Sequence, residues 1–145
     1  MRAEFSLDYN SLSNFNARCE AAINRVGNGS RKALVEACNE IIENSLAQVP
    51  YATGTLGLSA FWEITGSYKT LWEASLGYGG NGDPVNPKTG KPASSYALIV
   101  HEDLYAHHPI GKAKFLEDPV REYAREKYPR TVFRYAQESL AGMSD

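Results

Sequence analysis

The sequence predicts an α+β fold in which helices flank a small antiparallel sheet with a long loop. Apolar residues spaced three and four apart predict helices near both ends of the chain. Between these regions, apolar and polar residues alternate along three short segments, as in strands. No repeat or linker interrupts this order, so we expect one domain over residues 1–145, with residues 1–10 as a loose arm.

The composition excludes several classes of protein. The chain is 43% hydrophobic and 22% charged, which excludes a disordered or collagen-like protein. Its net charge of −2 disfavours a protein that holds nucleic acid mainly through phosphates. No apolar run approaches twenty residues and the start Met1–Phe5 has no apolar signal region, so we expect neither a membrane span nor secretion.

The region from Ser11 to Val49 is predicted to form two helices. Gly27–Gly29 supplies residues that tolerate a left-handed conformation, which predicts the end of the first helix, and Pro50 ends the second. A turn this short predicts antiparallel packing or an end-to-end bend. Both cysteines fall on apolar helical stripes, so we expect buried thiols. The apolar residues of the first helix are Leu12, Phe15, Cys19, Ala22 and Val26, and Cys38 lies in the second.

Three strands are predicted in the middle of the chain. They cover residues 60–65, 71–78 and 96–101, with residues 66–69 as a hairpin turn between the first two. The long loop, residues 79–95, follows the second strand and is mostly polar. A loop of this length in a small domain is usually functional or disordered.

The end of the chain is predicted to be a helix broken at Pro129. Asp118 followed by Pro119 is a typical helix start, with the aspartate as cap and the proline in the first turn. Tyr123 and Tyr128 lie on the apolar side of this helix, and a last helix follows Pro129.

Residues for catalysis or metal binding show no convincing pattern. His107 and His108 are adjacent and would point to opposite faces of a strand, and no helical metal-ligand spacing includes His101. The chain has no nucleophile elbow, and Gly79–Gly82 lacks the lysine and serine of a phosphate loop. A Cys–His pair formed through the fold stays open. We therefore predict no catalytic, cofactor or metal site, and keep a small metal-dependent enzyme using the three histidines as the least favoured alternative.

Aromatic residues are the more informative feature. The chain has nine tyrosines and two tryptophans, which are side chains that anchor protein interfaces. We expect one domain of this size to leave some of them for contacts with other subunits, although an ordinary amphipathic surface helix explains residues 120–128 equally well. The predicted interface residues are Trp62, Trp72, Tyr96, Asn81, Lys88, Lys91, Tyr123 and Tyr128.

Two segments resemble a known family. Residues 49–59, Val-Pro-Tyr-Ala-Thr-Gly-Thr-Leu-Gly-Leu-Ser, resemble the "Pro, then Thr-Gly-x-Leu-x-x-Ser" signature of small tailed-phage virion proteins, described as minor capsid, neck, head–tail joining or tail-completion proteins. Residues 96–102, Tyr-Ala-Leu-Ile-Val-His-Glu, and 111–120, Gly-Lys-Ala-Lys-Phe-Leu-Glu-Asp-Pro-Val, resemble the strand and helix entry of the same family. The order of the motifs also matches.

The resemblance implies a non-enzymatic structural protein of a tailed bacteriophage. Such a protein would form a ring of six or twelve copies at the head–tail junction of the virion, assembled in the host cytoplasm, without cofactor or membrane. It would contact connector, adaptor or stopper proteins and tail proteins, while DNA passes through without specific binding. The long loop would reach a neighbour or the tail tube and order on assembly, or its lysines would face the channel. The alternative is a soluble module that binds a host or phage protein.

Overall fold

The structure is a computed structural model that describes residues 9–80 and 82–142. It confirms the predicted α+β fold, with five α-helices and one two-stranded antiparallel sheet in these residues. The first eight residues of the predicted arm lie outside the described residues, whereas Tyr9 and Asn10 already belong to the first helix. The elements are α1 (Tyr9–Leu46), α2 (Thr55–Leu58), β1 (Phe61–Gly66), β2 (Trp72–Gly77), α3 (Ala97–Glu102), α4 (Glu117–Glu126) and α5 (Tyr128–Ala141), with a 3₁₀ turn at Ala93–Ser95.

The long helix α1 corrects the prediction of two helices. It runs through Gly27–Gly29 without a break for 38 residues, or about 57 Å. A Cβ atom on Gly27 would lie 2.4 Å from Cβ of Tyr68, and one on Gly29 would lie 2.9 Å from the carbonyl oxygen of Tyr135. The glycines are therefore sites of close approach, where packing outweighs their low helix propensity.

The hairpin of β1 and β2 confirms the first two predicted strands. Its register pairs Phe61 with Gly77 at one end and Gly66 with Trp72 at the other. The predicted turn between the strands is also present, and the amide of Thr70 donates to the carbonyl oxygen of Ser67. Both strands pack against α1.

The third predicted strand is wrong, since this segment is helix α3. Ala97 is buried and Val100 is packed against the core, whereas Leu98 and Ile99 between them are 70% and 67% exposed. Buried positions three residues apart suit a helix, whereas a strand would bury alternate residues. The short apolar run alone did not distinguish the two structures.

The long loop is a closed hairpin in its described part. Val85 and Pro92 form a β-bridge, and the amide of Asn86 donates to the carbonyl oxygen of Lys91 at 2.9 Å. The carboxylate of Asp83 accepts hydrogen bonds from the amide and the hydroxyl of Ser94, at 2.8 and 2.5 Å. The polar residues thus bond to one another, and the expected ordering on assembly is not required to close residues 82–95.

The start of α4 differs in detail from the prediction. The helix begins at Glu117, so Asp118 and Pro119 lie inside its first turn, and Asp118 is not the cap. Its carboxylate pairs with Lys112 instead of with free helix amides. A break of the C-terminal helix near Pro129 is confirmed, but it lies at Lys127, since α4 ends at Glu126 and α5 begins at Tyr128. Pro129 lies in the first turn of α5, where a proline is tolerated, and Tyr128 belongs to α5.

The core consists of two neighbouring clusters. Leu116 connects them, since it packs against both. The first cluster contains Val49, Leu56, Ala97 and Phe115, and the second contains Ala37, Ile41 and Tyr123. The clusters lie around the second half of α1, and this position leaves the first half outside the core.

Candidate functional site

The first half of α1 has an uncovered apolar stripe. Every described side chain from Leu12 to Ala21 is exposed, and the exposed fraction of Phe15 is 64%. The prediction that Cys19 is buried is therefore wrong, although Cys38 is buried as predicted. We name the set formed by Leu12, Phe15, Cys19, Ala22 and Val26 the uncovered stripe; its first three residues are exposed, and Ala22 and Val26 at its end are half-buried.

The uncovered stripe continues a face that is covered further along α1. Residues of a helix are separated by about 100° around its axis, which places Gly29, Ala33 and Ala37 in line with the stripe. In that second half, α5 packs against α1, and Ala33 and Ala37 are buried. One apolar face thus runs along α1, and α5 covers only part of it.

The end of α5 determines where the stripe becomes exposed. Arg25 Nη1 donates a hydrogen bond of 2.5 Å to the carbonyl oxygen of Gly142, directly after α5. The sixteen residues from Tyr9 to Asn24 extend about 24 Å beyond this contact. A stretch of this length corresponds to more than four helical turns.

A second exposed stripe lies on the outer side of α5. Phe133 is 63% exposed, Leu140 is exposed and Ala136 is half-buried. Tyr135, which bonds to Glu36 of α1, and the buried Thr131, which bonds to Tyr123 of α4, lie on another side of the helix. We name Phe133, Ala136 and Leu140 the outer stripe. Sequence reasoning missed Phe133, although its spacing of three to Ala136 and then four to Leu140 was a usable signal.

Ionic contacts fix how α5 lies on α1. Arg134 Nη2 donates to both carboxylate oxygens of Glu36, at 2.8 and 2.6 Å, and the hydroxyl of Tyr135 donates to the same carboxylate at 2.8 Å. The hydrogen bond from Arg134, followed by that from Tyr135, lowers the pKa of Glu36 below its ordinary value. Lys127 pairs with Glu40 one turn further along. These contacts hold α5 in the orientation that presents the outer stripe to solvent.

Three predicted interface aromatics are partly used inside the subunit. The indole N–H of Trp72 donates to the carbonyl oxygen of Gly27 at 2.9 Å, and Arg31 lies 5.7 Å from its ring centroid. Tyr96 packs against the first core cluster, and Trp62 is half-buried on the hairpin. Each of the three keeps only part of its surface for an external contact.

The two tyrosines of the C-terminal helices belong mainly to the core. Tyr123 is 3% exposed, and its hydroxyl shares a hydrogen bond of 3.2 Å with Thr131, so it supports the subunit and has no surface to offer a partner. Tyr128 is half-buried against the same cluster, and burial raises its pKa. The sequence placed both on the correct apolar side, but the covering layer comes from the same chain.

The lysines of the long loop are the most accessible of the predicted residues. Lys88 and Lys91 are exposed at the hairpin tip. The amide of Lys88 donates to Asn86 Oδ1 at 2.9 Å, which shapes the tip. Asn81 lies outside the described residues. The tip therefore presents two positive charges on a structured turn.

Of the three histidines, His101 has a clear role in local structure. His101 Nδ1 lies 2.8 Å from Glu102, its Nε2 accepts a 3.3 Å hydrogen bond from the amide of Glu117, and its ring meets Phe115 edge to face. His107 is exposed and His108 is half-buried. Among the described residues, no group of three or more His, Cys, Asp or Glu side chains converges as a metal site would require.

A charged cluster borders a cavity near His101. Lys114 Nζ lies 2.5 Å from Glu102 and 2.7 Å from Glu117, and these hydrogen bonds lower the pKa of both carboxyls and raise that of Lys114. The cavity has a volume of about 290 Å³ and lies between these charges and the ring of Phe115. Opposite charges are paired here, which suits a structural junction between α3 and α4.

Comparisons with known proteins identify no relative. No family model, no curated protein and no solved structure matches the chain. Within the residues that the structure describes, no helix has both the length and the apolar character to cross a bilayer. The contacts and surfaces of the chain itself are therefore the observations that bear on its function.

Proposed function

We propose that this chain is a non-enzymatic structural protein of a tailed-bacteriophage virion. It would be one subunit of a ring of six or twelve copies in the head–tail connector, or neck, which joins the DNA-filled head to the tail. Its partners would be further copies, connector, adaptor or stopper proteins, and tail proteins.

The observation that carries the proposal is how the two family-like segments meet. Val49 and Leu56 from the first segment form one buried cluster with Ala97 and Phe115 from the second. The segments are more than thirty residues apart in sequence. Their assembly into one cluster supports the idea that both motifs describe a single structural unit.

Backbone contacts join the same segments to the end of α1. The amide of Lys112 donates to the carbonyl oxygen of Gln48 at 2.9 Å, and the amide of Tyr51 donates to that of Ile110 at 3.3 Å. Gly111 has φ +88°, and a Cβ there would lie 2.6 Å from the backbone of Pro50. This tight junction holds the chain directly after α1 against the second segment, which is an architectural role.

Polar groups in the first segment also serve the backbone. Ser59 Oγ donates to the carbonyl oxygen of Leu56 at 2.6 Å and accepts a hydrogen bond from the amide of Gly79 at 3.0 Å. Thr53 and Thr55 share a hydrogen bond of 2.8 Å. Each of these hydroxyls thus has a structural partner, which agrees with the proposed structural role.

The surface chemistry suits such a role. The uncovered stripe and the outer stripe are exposed apolar surfaces of the kind that mark sites of protein association. The net charge of −2 suits a ring through which DNA slides without being held. In this proposal, Lys88 and Lys91 at the loop tip contact a neighbour or face the passage.

The test uses particles of the phage that encodes the chain. Antibodies raised against the purified protein should label the head–tail junction, and quantitative mass spectrometry should find six or twelve copies per particle. Loss of the gene should leave filled heads and free tails that do not join, and the intact gene supplied separately should restore joining. Absence of the protein from purified particles, or normal joining without it, would contradict the proposal. Binding to a host protein in that case would identify a binding module.

A further inference from the structure

The uncovered stripe has the spacing of a helix-packing seam. Leu12, Phe15, Cys19, Ala22 and Val26 are separated by three, four, three and four residues, which is the period of apolar residues in coiled coils. A stripe that keeps this period over two heptads packs best against another helix. The occupant is therefore expected to present a helical apolar face.

The charges beside the stripe exclude a polyanionic occupant. From Tyr9 to Asn24 the only charged residues are Arg18 and Glu20, whose charges cancel. A nucleic acid or an acidic membrane surface would call for clustered lysines and arginines. A nearly neutral helix instead suits an apolar helical face, since it brings only one positive and one negative charge near the contact.

The chain itself carries a helix that already packs on this face. Within the subunit, α5 covers the second half of the α1 face, where Gly29 permits close contact with Tyr135. The outer stripe gives α5 a further apolar side, on which Phe133 is the largest exposed group. This second side has the same three-and-four spacing as the uncovered stripe.

We infer that the uncovered stripe of one copy packs against the outer stripe of α5 on a second copy. The inference rests on the proposed function, from which it takes the ring. It adds the two surfaces that join neighbouring subunits. The surfaces differ, so the contact is heterologous and repeats from copy to copy, as a ring requires. Pairing of two uncovered stripes would instead stop at a dimer and leave both outer stripes exposed.

Disulfide trapping tests the inference directly. The protein keeps Cys19 as a native probe on the uncovered stripe, and Phe133→Cys, Ala136→Cys and Leu140→Cys are made singly, so that the probes span about 10 Å of α5. Oxidation of concentrated protein should give dimers, trimers and larger species on a non-reducing gel with at least one variant. Ala124→Cys, at an exposed position of α4, is the matched control and should give no such ladder.

The outcomes separate the possible occupants. No ladder from any of the three variants would overturn the inference, whether residues 1–8 or another protein covers the stripe. A dimer formed by unmodified protein through Cys19 alone, without larger species in the variants, would show pairing of two uncovered stripes and would also overturn it.

A second variant tests the stripe without cysteine chemistry. Phe15→Glu should reduce self-association at least tenfold in sedimentation velocity, with its helical content unchanged because Phe15 is exposed. Asn16→Glu adds the same charge to the adjacent exposed residue and should have a much smaller effect. Equal association of both variants would overturn the inference. If the protein is found in the neck but none of the cysteine variants gives a ladder, only this interface is refuted. If a variant gives a ladder but the protein is absent from purified particles, only the proposed function is refuted.

Discussion

The indole N–H of Trp72 donates a 2.9 Å hydrogen bond to the carbonyl oxygen of Gly27, in the middle of α1. The hairpin thereby contacts α1 at a glycine, where no side chain on α1 prevents close approach of the two elements. Two residues later, Gly29 allows α5 the same approach from another side, through Tyr135. The glycine-containing segment is thus the point where three elements meet.

Substitution of these glycines should destabilise the protein even though alanine favours helix. Gly29→Ala gains about 1 kcal/mol of helix propensity, but its Cβ would lie 2.9 Å from the Tyr135 carbonyl oxygen, and overpacking costs about 1–3 kcal/mol. We expect a lower midpoint in urea unfolding. Asn28→Ala, at the exposed residue between the glycines, should be neutral or stabilising. Stabilisation by Gly29→Ala would show that α5 does not pack closely there.

Phe115 should be a main contributor to the core. It is 1% exposed and belongs to the cluster that joins the two family-like segments, so Phe115→Ala should cost about 3–5 kcal/mol. The matched control is Phe133→Ala, which removes an exposed ring and should change the free energy of unfolding by less than about 0.5 kcal/mol. Thermal or urea unfolding measures both. Similar losses in the two variants would contradict the assigned burial.

The two thiols should react at very different rates. Cys19 is exposed, whereas Cys38 is buried and burial raises its pKa, so less of it is thiolate at pH 8. Ellman's reagent should label one thiol quickly in dilute native protein and the second only on unfolding. Cys19→Ala should remove the fast phase, and protection of Cys19 at high protein concentration is expected from the inferred interface. Rapid reaction of both thiols would contradict the packing around Cys38.

The pair of Glu36 and Arg134 should make stability depend on pH in the acid range. The folded protein lowers the pKa of Glu36 from its ordinary 4.5, so the contribution is present above that pH and is lost as the pH falls through the lowered value. Because both side chains are partly exposed, Glu36→Gln should cost only about 0.5–1 kcal/mol at pH 7, and less at pH 3 or in high salt. Glu43→Gln, at an exposed carboxylate of the same helix, is the control. A loss that does not change between pH 7 and pH 3 would exclude the ionic explanation.

Much of the fold could be predicted from local pattern, and the errors have identifiable causes. The first two strands, their turn and the helix break near Pro129 follow from alternation and from proline chemistry, which act within a few residues. The sequence predicts a strand from Tyr96 to His101 because a short apolar run suits both structures, and only its packing on Val49 and Phe115 makes it a helix. Tertiary packing also decides which of the predicted interface residues are accessible. Tyr123 is buried by its own chain, whereas Lys88 is exposed.

The sequence by itself determined the α+β class, the apolar stripes and the neutral character of the first helical segment, because periodicity and charge are properties of neighbouring residues. Only the tertiary structure decided which stripes are covered. The local sequence around Gly27 and Gly29 predicts the end of a helix. In the structure α1 continues through both glycines, and their small size allows the hairpin and α5 to pack closely against it. The covering helix ends at Gly142 beside Arg25, and this termination leaves Phe15 and Cys19 exposed. Burial depends on which distant segment packs against the helix and on where that segment ends, and no local sequence pattern contains that information.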